Sequence, residues 1–193
     1  IGNRSSGRMG YAIAAEAARR GAEVVLVSGP SALAEPAGVR TIHIETAMQM
    51  RAAVLAEFPA SDIVIKAAAV ADYRAKEIAE NKIKKDEDVL TLVLEKNPDI
   101  LKELGSLKKP GQILVGFAAE TQNLLAYAKQ KLEKKNLDFI VANDVTKPQA
   151  GFNTETNLIK ILSWDGSVEE FPLMSKKALA SIILDRVAAL PMS

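Results

Sequence analysis

Residues 3–10 read NRSSGRMG, a short polar loop with two glycines that leads directly into the alanine-rich stretch 11–20. A strand-like run, 23–28, follows at once. A loop of this kind at a helix N-terminus leaves backbone N–H groups unpaired at the positive end of the helix dipole, where anions and most often phosphate bind. The spacing matches neither standard glycine-rich phosphate fingerprint, so a simple helix cap by Ser5 or Ser6 is the alternative interpretation.

The composition is that of one ordinary globular domain. The chain has 193 residues, 48% of them hydrophobic, and a formal net charge of +1, which does not favour a nucleic-acid partner. No apolar run is long enough to cross a membrane, and no signal peptide is visible, so we expect a cytoplasmic protein. The chain contains no Cys and a single His, His43, which excludes disulfides and thiolate catalysis.

Strand-like and helix-like runs alternate along most of the chain. Strands are predicted at 23–28, 39–44, 62–67, 90–94, 113–117 and 139–142, and helices at 11–20, 47–57, 98–107 and 123–135. This alternation predicts an α/β fold with a doubly wound, mostly parallel, Rossmann-like sheet. The predicted caps are Thr46 for helix 47–57 and Asn97, followed by Pro98 at the first position, for helix 98–107. The predicted inward-facing residues are Met48, Ala52 and Leu55 in helix 47–57, and Leu124, Leu125, Ala128 and Leu132 in helix 123–135.

The last third of the chain has a different pattern. Two strand-like runs, 158–163 and 168–171, flank the sequence WDGS at 164–167, which predicts a β-hairpin. Ser175 is expected to cap a final helix, 176–190. Because a projecting hairpin has exposed edges, we expect it to pair with a second copy in a C2 homodimer.

Four segments fall where a doubly wound sheet binds ligands, beyond the carboxyl ends of strands. They are AAAVADY at 67–73, KIKK at 82–85, KNPD at 96–99, and GFAAET at 116–121 before a helix with Lys131, Lys134 and Lys135. Each has a plain structural interpretation as a turn cap, a helix cap or a solvated lysine face. Together, the helix starts and lysine clusters suit a polyphosphate ligand.

A dinucleotide-binding oxidoreductase is the main alternative from another class. Such a fold needs an acidic residue at the end of its second strand, about 20 residues after the glycines. That strand here ends VSGP at 27–30, with no acid for a ribose and no nearby Arg for a 2′-phosphate, which counts against NAD and NADP. Tyr127 and Lys131 do have the i, i+4 spacing of a catalytic pair, so the alternative stays open. A nucleotide-sensing module without catalysis is a third possibility.

The order and spacing of several motifs resemble those of the bacterial phosphopantothenoylcysteine synthetase family, over essentially the whole chain. The motifs are NRSSGRMG (3–10), AAVADY (68–73), KIKK (82–85), KNPDI (96–100), GFAAET (116–121), Lys131 with Lys135, ANDV (142–145) and GFN (151–153). The family's first strand, which ends in a Gly-Gly-Thr turn, would lie upstream of Ile1. The resemblance also implies fusion to a flavin-dependent decarboxylase, with no FMN in the domain itself.

The resemblance implies a ligase of coenzyme A biosynthesis. In that family the carboxylate of 4′-phosphopantothenate attacks the α-phosphate of CTP, pyrophosphate leaves, and L-cysteine then displaces CMP from the acyl-cytidylate. It implies that Lys82 stabilises charge on the α-phosphate, that Asn3 holds the acyl intermediate, and that Asp72 is the candidate ligand for Mg²⁺ on the CTP phosphates.

The resemblance also implies a larger set of contact residues. Its nucleotide contacts are Ser6, Gly7, Lys66, Ala67, Ala68, Asp72, Lys82, Asn97, Pro98, Asp99, Ile100, Phe117, Lys131 and Lys135. Its substrate and lid contacts are Arg4, Ala69, Gly151, Phe152 and Asn153. The segment from Ala142 through the hairpin would form the dimer contact, with the loop 151–153 reaching the neighbouring active site.

Overall fold

The structure is a computed structural model that describes residues 5–77, 91–120, 124–144 and 154–191. Within these ranges the helices are α1 (Arg8–Arg19), α2 (Ala47–Glu57), α3 (Ile100–Leu107), α4 (Leu124–Lys134) and α5 (Lys176–Ala188). The strands are β1 (Val24–Ser28), β2 (Val39–His43), β3 (Ile63–Lys66), β4 (Tyr73–Ala75), β5 (Leu94–Lys96), β6 (Ile113–Glu120), β7 (Phe139–Asp144), β8 (Thr156–Ser163) and β9 (Val168–Ser175).

The main sheet has five strands in the order β3-β6-β7-β8-β9. Strands β3, β6 and β7 are parallel, and β8 and β9 continue the sheet as an antiparallel hairpin. Strands β1 and β2 form a separate parallel pair. The predicted α/β class, with parallel strands followed by a C-terminal hairpin, is therefore confirmed.

Helices cover both faces of the main sheet. Val115 and Val141 point toward the layer formed by α1 and α5, whereas their neighbours Leu114 and Ile140 point toward the layer that contains α3 and α4. This is the two-residue alternation of a strand buried on both faces. The sheet is thus the middle of three layers, and its strand ends are the parts left accessible to a ligand.

The β1–β2 pair belongs to the same layers without being hydrogen-bonded to the main sheet in the described residues. Val27 of β1 and Val64 of β3 pack against the same core cluster. Helix α1 contacts β1, while a Cβ built on its Gly10 would lie 4.0 Å from the Cβ of Ala67, just after β3. One edge of β1 and one edge of β3 therefore have no partner strand among the described residues.

Two predicted helix caps are confirmed and one is wrong. Thr46 and Gln49 form a reciprocal capping box at α2, and Ser175 Oγ accepts from the N–H of Ala178 at α5. Helix α3 is capped by Asp99, whose Oδ1 accepts from the N–H of Lys102 at 3.1 Å. The predicted cap, Asn97, lies outside the helix together with Pro98, because the Asn97 side chain is hydrogen-bonded elsewhere.

The predicted inward face of α2 is only partly correct. Met48 is 39% exposed and Ala52 is also exposed, whereas Met50 is buried. Leu55 and Val54 do pack against the core cluster that contains Met50. The weakly patterned sequence of α2 does not distinguish its faces, so the position of the sheet decides which one is buried.

The strand predicted at 90–94 is displaced. The described strand is Leu94–Lys96, and it pairs antiparallel with β4 rather than joining the main sheet. Leu92 and Val93, which precede it, are each 62% exposed. The sequence predicts a buried strand there because the apolar run has the composition of one. No helix in the described ranges has the length and apolar character needed to cross a membrane.

Candidate active site

The glycine loop enters α1 without a side-chain cap from its N-cap residue. Gly7 is the N-cap, with a positive φ of 73°, and it replaces the Ser5 or Ser6 cap of the alternative interpretation. The first turn of α1 contains no acidic residue. A Cβ on Gly7 would lie 3.5 Å from Ser31 Oγ, so this loop lies beside the segment that follows β1. The start of α1 is therefore suited to an anion.

The end of β3 lies next to the same loop. The approach of Gly10 to Ala67 brings the first turn of α1 against the small-residue turn that follows Lys66. The Nζ of Lys66 donates to Ala68 O at 3.2 Å, which folds the lysine back over this turn. Two of the segments predicted to bind the ligand are thus neighbours in space.

Lysines from two distant segments converge at the carboxyl end of β3. Burial lowers the pKa of Lys66, and the charges of Lys135 and Lys131 lower it further, while Asp99 and Asp72 act in the opposite direction. Each of these groups lies close enough to Lys66 to affect its protonation. An anionic ligand would relieve the repulsion among the three lysines. Lys134, which the sequence placed on the same helix face, is exposed.

Asp99 orients one of these lysines. Its Oδ2 lies 2.9 Å from the Nζ of Lys135, in addition to the cap on Lys102. Burial alone would raise the pKa of Asp99, but the hydrogen bonds from Lys135 and Lys102 and the charges of Lys135 and Lys66 hold it below its usual range. The ionised carboxylate therefore fixes Lys135 beside the N-terminus of α3.

Asp72 is exposed on the turn after β3, and its backbone is held by Asn97. The N–H of Asn97 donates to Asp72 O at 2.8 Å, and its Nδ2 donates to Ala71 O at 2.8 Å. The side chain of Arg74, which the sequence interpretation had missed, donates to Asn97 Oδ1 at 3.0 Å. The only feature of the sequence that could have pointed to Arg74 is its position two residues after Asp72.

Other predicted contacts lie on the neighbouring strand and helix. Gly116 is the register partner of Lys66, and a Cβ on it would lie 2.8 Å from Leu137 Cδ1, so a larger residue there would require the Leu137 side chain to shift. Phe117 follows it and is partly buried against the α1–α5 layer. Ile100 is buried in the core, so only its backbone is available to a ligand.

An unpredicted polar cluster joins the start of α1 to the start of β8. Arg8 forms an ion pair with Glu155, and the buried Lys176 donates its Nζ to Thr154 O at 2.6 Å. Burial, and secondarily the charge of Arg8, lowers the pKa of Lys176. These contacts fix the backbone that follows the segment 145–153 beside the glycine loop.

Several predicted site residues fall outside the described residues. They are Asn3, Arg4, Lys82, Gly151, Phe152 and Asn153. Among the residues that are described, no group of three or more His, Asp or Glu side chains is arranged to hold a metal ion. Asp72 offers a single exposed carboxylate at the site, since that of Asp99 is engaged by Lys135.

The fold and these side chains define an α/β domain with a cluster of lysines at the carboxyl end of β3, which is the candidate ligand site. The chain belongs to the family described as the DNA/pantothenate metabolism flavoprotein C-terminal domain, whose model matches residues 1–190. It is 51% identical over 189 residues to the coenzyme A biosynthesis bifunctional protein CoaBC of Bacillus subtilis, covering 97% of this chain and 46% of that protein. The chain thus spans about half the length of the curated relatives that it matches.

Solved structures agree with this assignment. The C-terminal domain of a coenzyme A biosynthesis bifunctional protein CoaBC matches with a TM-score of 0.81 at 45% identity, covering 96% of this chain and 83% of that one. A Cab2 mutant in complex with phosphopantothenate-cysteine shares the fold, with a TM-score of 0.73 at 14% identity over 96% of this chain and 79% of that one. The family resemblance predicted from the motifs is confirmed.

Proposed function

We propose that this domain is a ligase that joins 4′-phosphopantothenate to L-cysteine and uses CTP to activate the carboxylate. The observation that carries the proposal is the convergence of Lys66, Lys131 and Lys135 near the uncapped N-terminus of α1, because a triphosphate requires several fixed positive groups. Membership of the family, and the bound phosphopantothenate-cysteine of a protein with the same fold, support the proposal.

The proposed reaction has two steps. A carboxylate oxygen of phosphopantothenate attacks the α-phosphorus of CTP, and pyrophosphate leaves with the electrons of the broken P–O bond. The amine of cysteine then attacks the acyl carbon of the acyl-cytidylate, loses a proton and expels CMP. Such chemistry depends mainly on positioning and charge neutralisation, which fixed lysines and helix N-termini supply.

Each part of the site has a proposed role. Backbone N–H groups at Ser6 and Gly7 hold a phosphate, and the turn 67–70 contacts the cytosine through its backbone. The triphosphate lies over Lys66, Lys131 and Lys135. Lys82 neutralises charge on the α-phosphate, and Asn3 holds the acyl intermediate through its amide. The substrate and lid contacts are Arg4, Ala69, Gly151, Phe152 and Asn153.

Mg²⁺ is proposed to accompany CTP. Asp72 is the protein carboxylate available for it at the described part of the site, and a cation that prefers oxygen ligands and keeps several waters fits one carboxylate plus phosphate oxygens. When bound, the ion would neutralise phosphate charge, while the chain's own residues hold the nucleotide in place.

The proposal extends to the assembly. The domain works in the cytoplasm as a homodimer, and in the full-length protein it follows a flavin-dependent decarboxylase. The share of the bifunctional relatives that this chain covers supports such a fusion. An upstream strand is proposed to complete the sheet between β1 and β3, and the edges of these strands that have no partner among the described residues support it.

The NAD(P)-dependent oxidoreductase is not favoured, because the relatives are proteins of coenzyme A biosynthesis.

Nucleotide choice tests the proposal most directly. A ligand that binds only the folded state raises the melting temperature by mass action. With Mg²⁺ present, CTP should raise it more than ATP, NAD or NADP at equal concentration. An equal shift with ATP would contradict the cytosine assignment, and a shift with NADP alone would favour the oxidoreductase.

Single-turnover mass spectrometry of the full-length protein separates the two steps. Lys82→Gln removes a charge needed at the α-phosphate, so little pyrophosphate and little acyl-cytidylate should form, with a rate lowered by about 10²–10³-fold. Asn3→Asp should still release pyrophosphate but accumulate the acyl-cytidylate after cysteine is added. A normal level of acyl-cytidylate in Lys82→Gln would contradict the role proposed for Lys82. Absence of acyl-cytidylate in Asn3→Asp would contradict the assignment of Asn3 to the second step.

A further inference from the structure

One residue, Asn97, holds both peptide groups that flank Asp72. Its Nδ2 donates to Ala71 O and its backbone N–H donates to Asp72 O, each at 2.8 Å. Because a trans peptide is planar, fixing these two carbonyl oxygens also fixes the directions of the N–H groups opposite them. The backbone direction from which the Asp72 side chain projects is therefore set from both sides by Asn97.

Arg74 decides which way the amide of Asn97 points. Its guanidinium donates to Asn97 Oδ1 at 3.0 Å and to Lys96 O at 3.3 Å, and it pairs with Glu95 at 2.6 Å. A guanidinium has donors and no acceptor, so it can face only the oxygen of the amide. The NH₂ group of Asn97 is thereby directed at Ala71 O, the orientation that the Asp72 turn requires.

We propose that Arg74 and Asn97 are positioning residues that place Asp72 for the Mg²⁺-bound nucleotide, an inference that rests on the proposed function. The side chain of Asn97 is engaged by Ala71 and Arg74, so it acts on the ligand through Asp72 rather than by contact. Asp72 is exposed and close enough to Lys66 to affect its pKa, which places it at the lysine cluster. The β4–β5 pair, which contains Arg74 and leads into Asn97, thus holds the Asp72 carboxylate in position.

Asn97→Asp is the most specific test. The new carboxylate has nearly the same shape and still accepts from Arg74, but it cannot donate to Ala71 O, so the turn loses its hold on Asp72. Isothermal titration with CTP and Mg²⁺ should show the affinity for the nucleotide lowered by about tenfold. This is the loss expected when one charge-assisted contact, here the contact of Asp72 with the Mg²⁺-bound nucleotide, is weakened. The melting temperature is expected to fall because Ala71 O loses its donor, so the affinity is the deciding measurement: a purely structural role predicts unchanged affinity, which would overturn the inference.

A double-mutant cycle shows whether the effect passes through Asp72. In an Asp72→Asn background, Asn97→Asp should cause little further loss, because the group that it positions is already altered. Additive losses would mean that the added negative charge simply repels the nucleotide, and would overturn the inference. Lys76→Gln is the charge-matched control, since it removes one positive charge just beyond β4, where its side chain is exposed, and should leave affinity unchanged.

Arg74→Gln provides a second route if Asn97→Asp fails to fold. Glutamine can donate or accept, so the amide of Asn97 is no longer held in one orientation, and CTP affinity should again fall, with no further loss in the Asp72→Asn background. Unchanged affinity in Arg74→Gln while the wild-type protein binds CTP would contradict this inference alone. Absence of CTP binding by the wild-type protein would contradict the proposed function first.

Discussion

The backbone of Gly105 in α3 touches the backbone of Lys135 directly after α4. A Cβ built on Gly105 would lie 1.9 Å from the carbonyl oxygen of Lys135, which no rearrangement of a flexible side chain can relieve. The Nδ2 of Asn136 donates to Gly105 O at 3.0 Å and joins the two segments. This contact fixes the position of the Lys135 backbone just after α4. It therefore also places the Lys135 side chain near Asp99 at the N-terminus of α3.

Gly105→Ala should therefore destabilise the fold, although alanine normally favours a helix over glycine. Overpacking against a backbone atom costs about 1–3 kcal/mol, more than the roughly 1 kcal/mol of helix propensity gained. Gly10→Ala is the matched control, since its Cβ would meet only Ala67 at 4.0 Å and should be neutral or stabilising. Urea unfolding of both variants measures the difference, and an equal gain in both would contradict the contact.

Glu16 should make the stability of the α1–α5 layer depend on acid pH. Hydrogen bonds from Arg19 and Arg20 lower the pKa of this carboxyl from 4.5 to about 2 in the folded protein. Its stabilising contribution is present above the unfolded pKa and is lost as the pH falls from about 4.5 toward 2.

The measurement is the melting temperature of Glu16→Gln against wild type across that range. The variant should melt lower at pH 7, and the two curves should converge as the pH falls. Glu133→Gln, on an exposed position of α4, should follow the wild type throughout. A difference in melting temperature between Glu16→Gln and wild type that stays constant at all pH values would show that ionisation of Glu16 does not cause the pH dependence of stability.

Lys66 should couple nucleotide binding to proton uptake. Because burial and then Lys135 lower its pKa, Lys66 loses its proton at a lower pH than an ordinary lysine does, and a bound triphosphate should favour its charged form. CTP affinity should fall as the pH rises through this lowered pKa. Titration calorimetry in buffers of different ionisation enthalpy should detect net proton uptake on CTP binding at pH values where Lys66 of the free protein is partly deprotonated.

Lys66→Met should abolish that uptake and lower CTP affinity by about tenfold, the effect of one charge-assisted contact. Lys134→Met removes an exposed lysine of the same helix as Lys131 and should retain both affinity and uptake. Uptake that survives in Lys66→Met would assign the proton to another group.

Among the described residues, β1 and β3 each have one edge without a partner strand, and this predicts a further parallel strand between them. A right-handed crossover from such a strand through α1 to β1 would place it beside β1. In the full-length protein, the amides on these edges should exchange with solvent more slowly than in the 193-residue chain, and the domain should melt higher. Equal exchange in the two proteins would contradict the added strand.

The outer edge of β9 predicts pairing with a second copy. This strand has no partner on that side among the described residues, and its Val168 and Leu173 are 39% and 40% exposed. Leu173→Lys should convert a dimer to a monomer in light scattering at micromolar concentration. Leu107→Lys, which changes another exposed leucine at the end of α3, should remain dimeric, and a monomeric wild-type protein would contradict the prediction.

The sequence alone predicted the features that depend on neighbouring residues. The apolar runs predicted most strands of the main sheet, the Asp-Gly pair predicted the β8–β9 hairpin, and Thr46 and Ser175 predicted two helix starts. Each rests on backbone preferences or on a side chain that reaches only three residues along the chain. The sequence also carried the motifs that identified the family, because their order does not depend on the fold being known.

Only the tertiary structure decided the features that join distant segments. Asn97 was predicted to cap a helix, but its side chain instead reaches Ala71, 26 residues earlier, and Asp99 became the cap. The clustering of Lys66 with Lys135, and the contact of Gly105 with Lys135, likewise depend on how strands and helices pack. Local sequence determines which helices and strands form. Packing against other elements determines which faces are buried and which side chains come into contact. The candidate site is made of such contacts between distant segments, so only the tertiary structure reveals it.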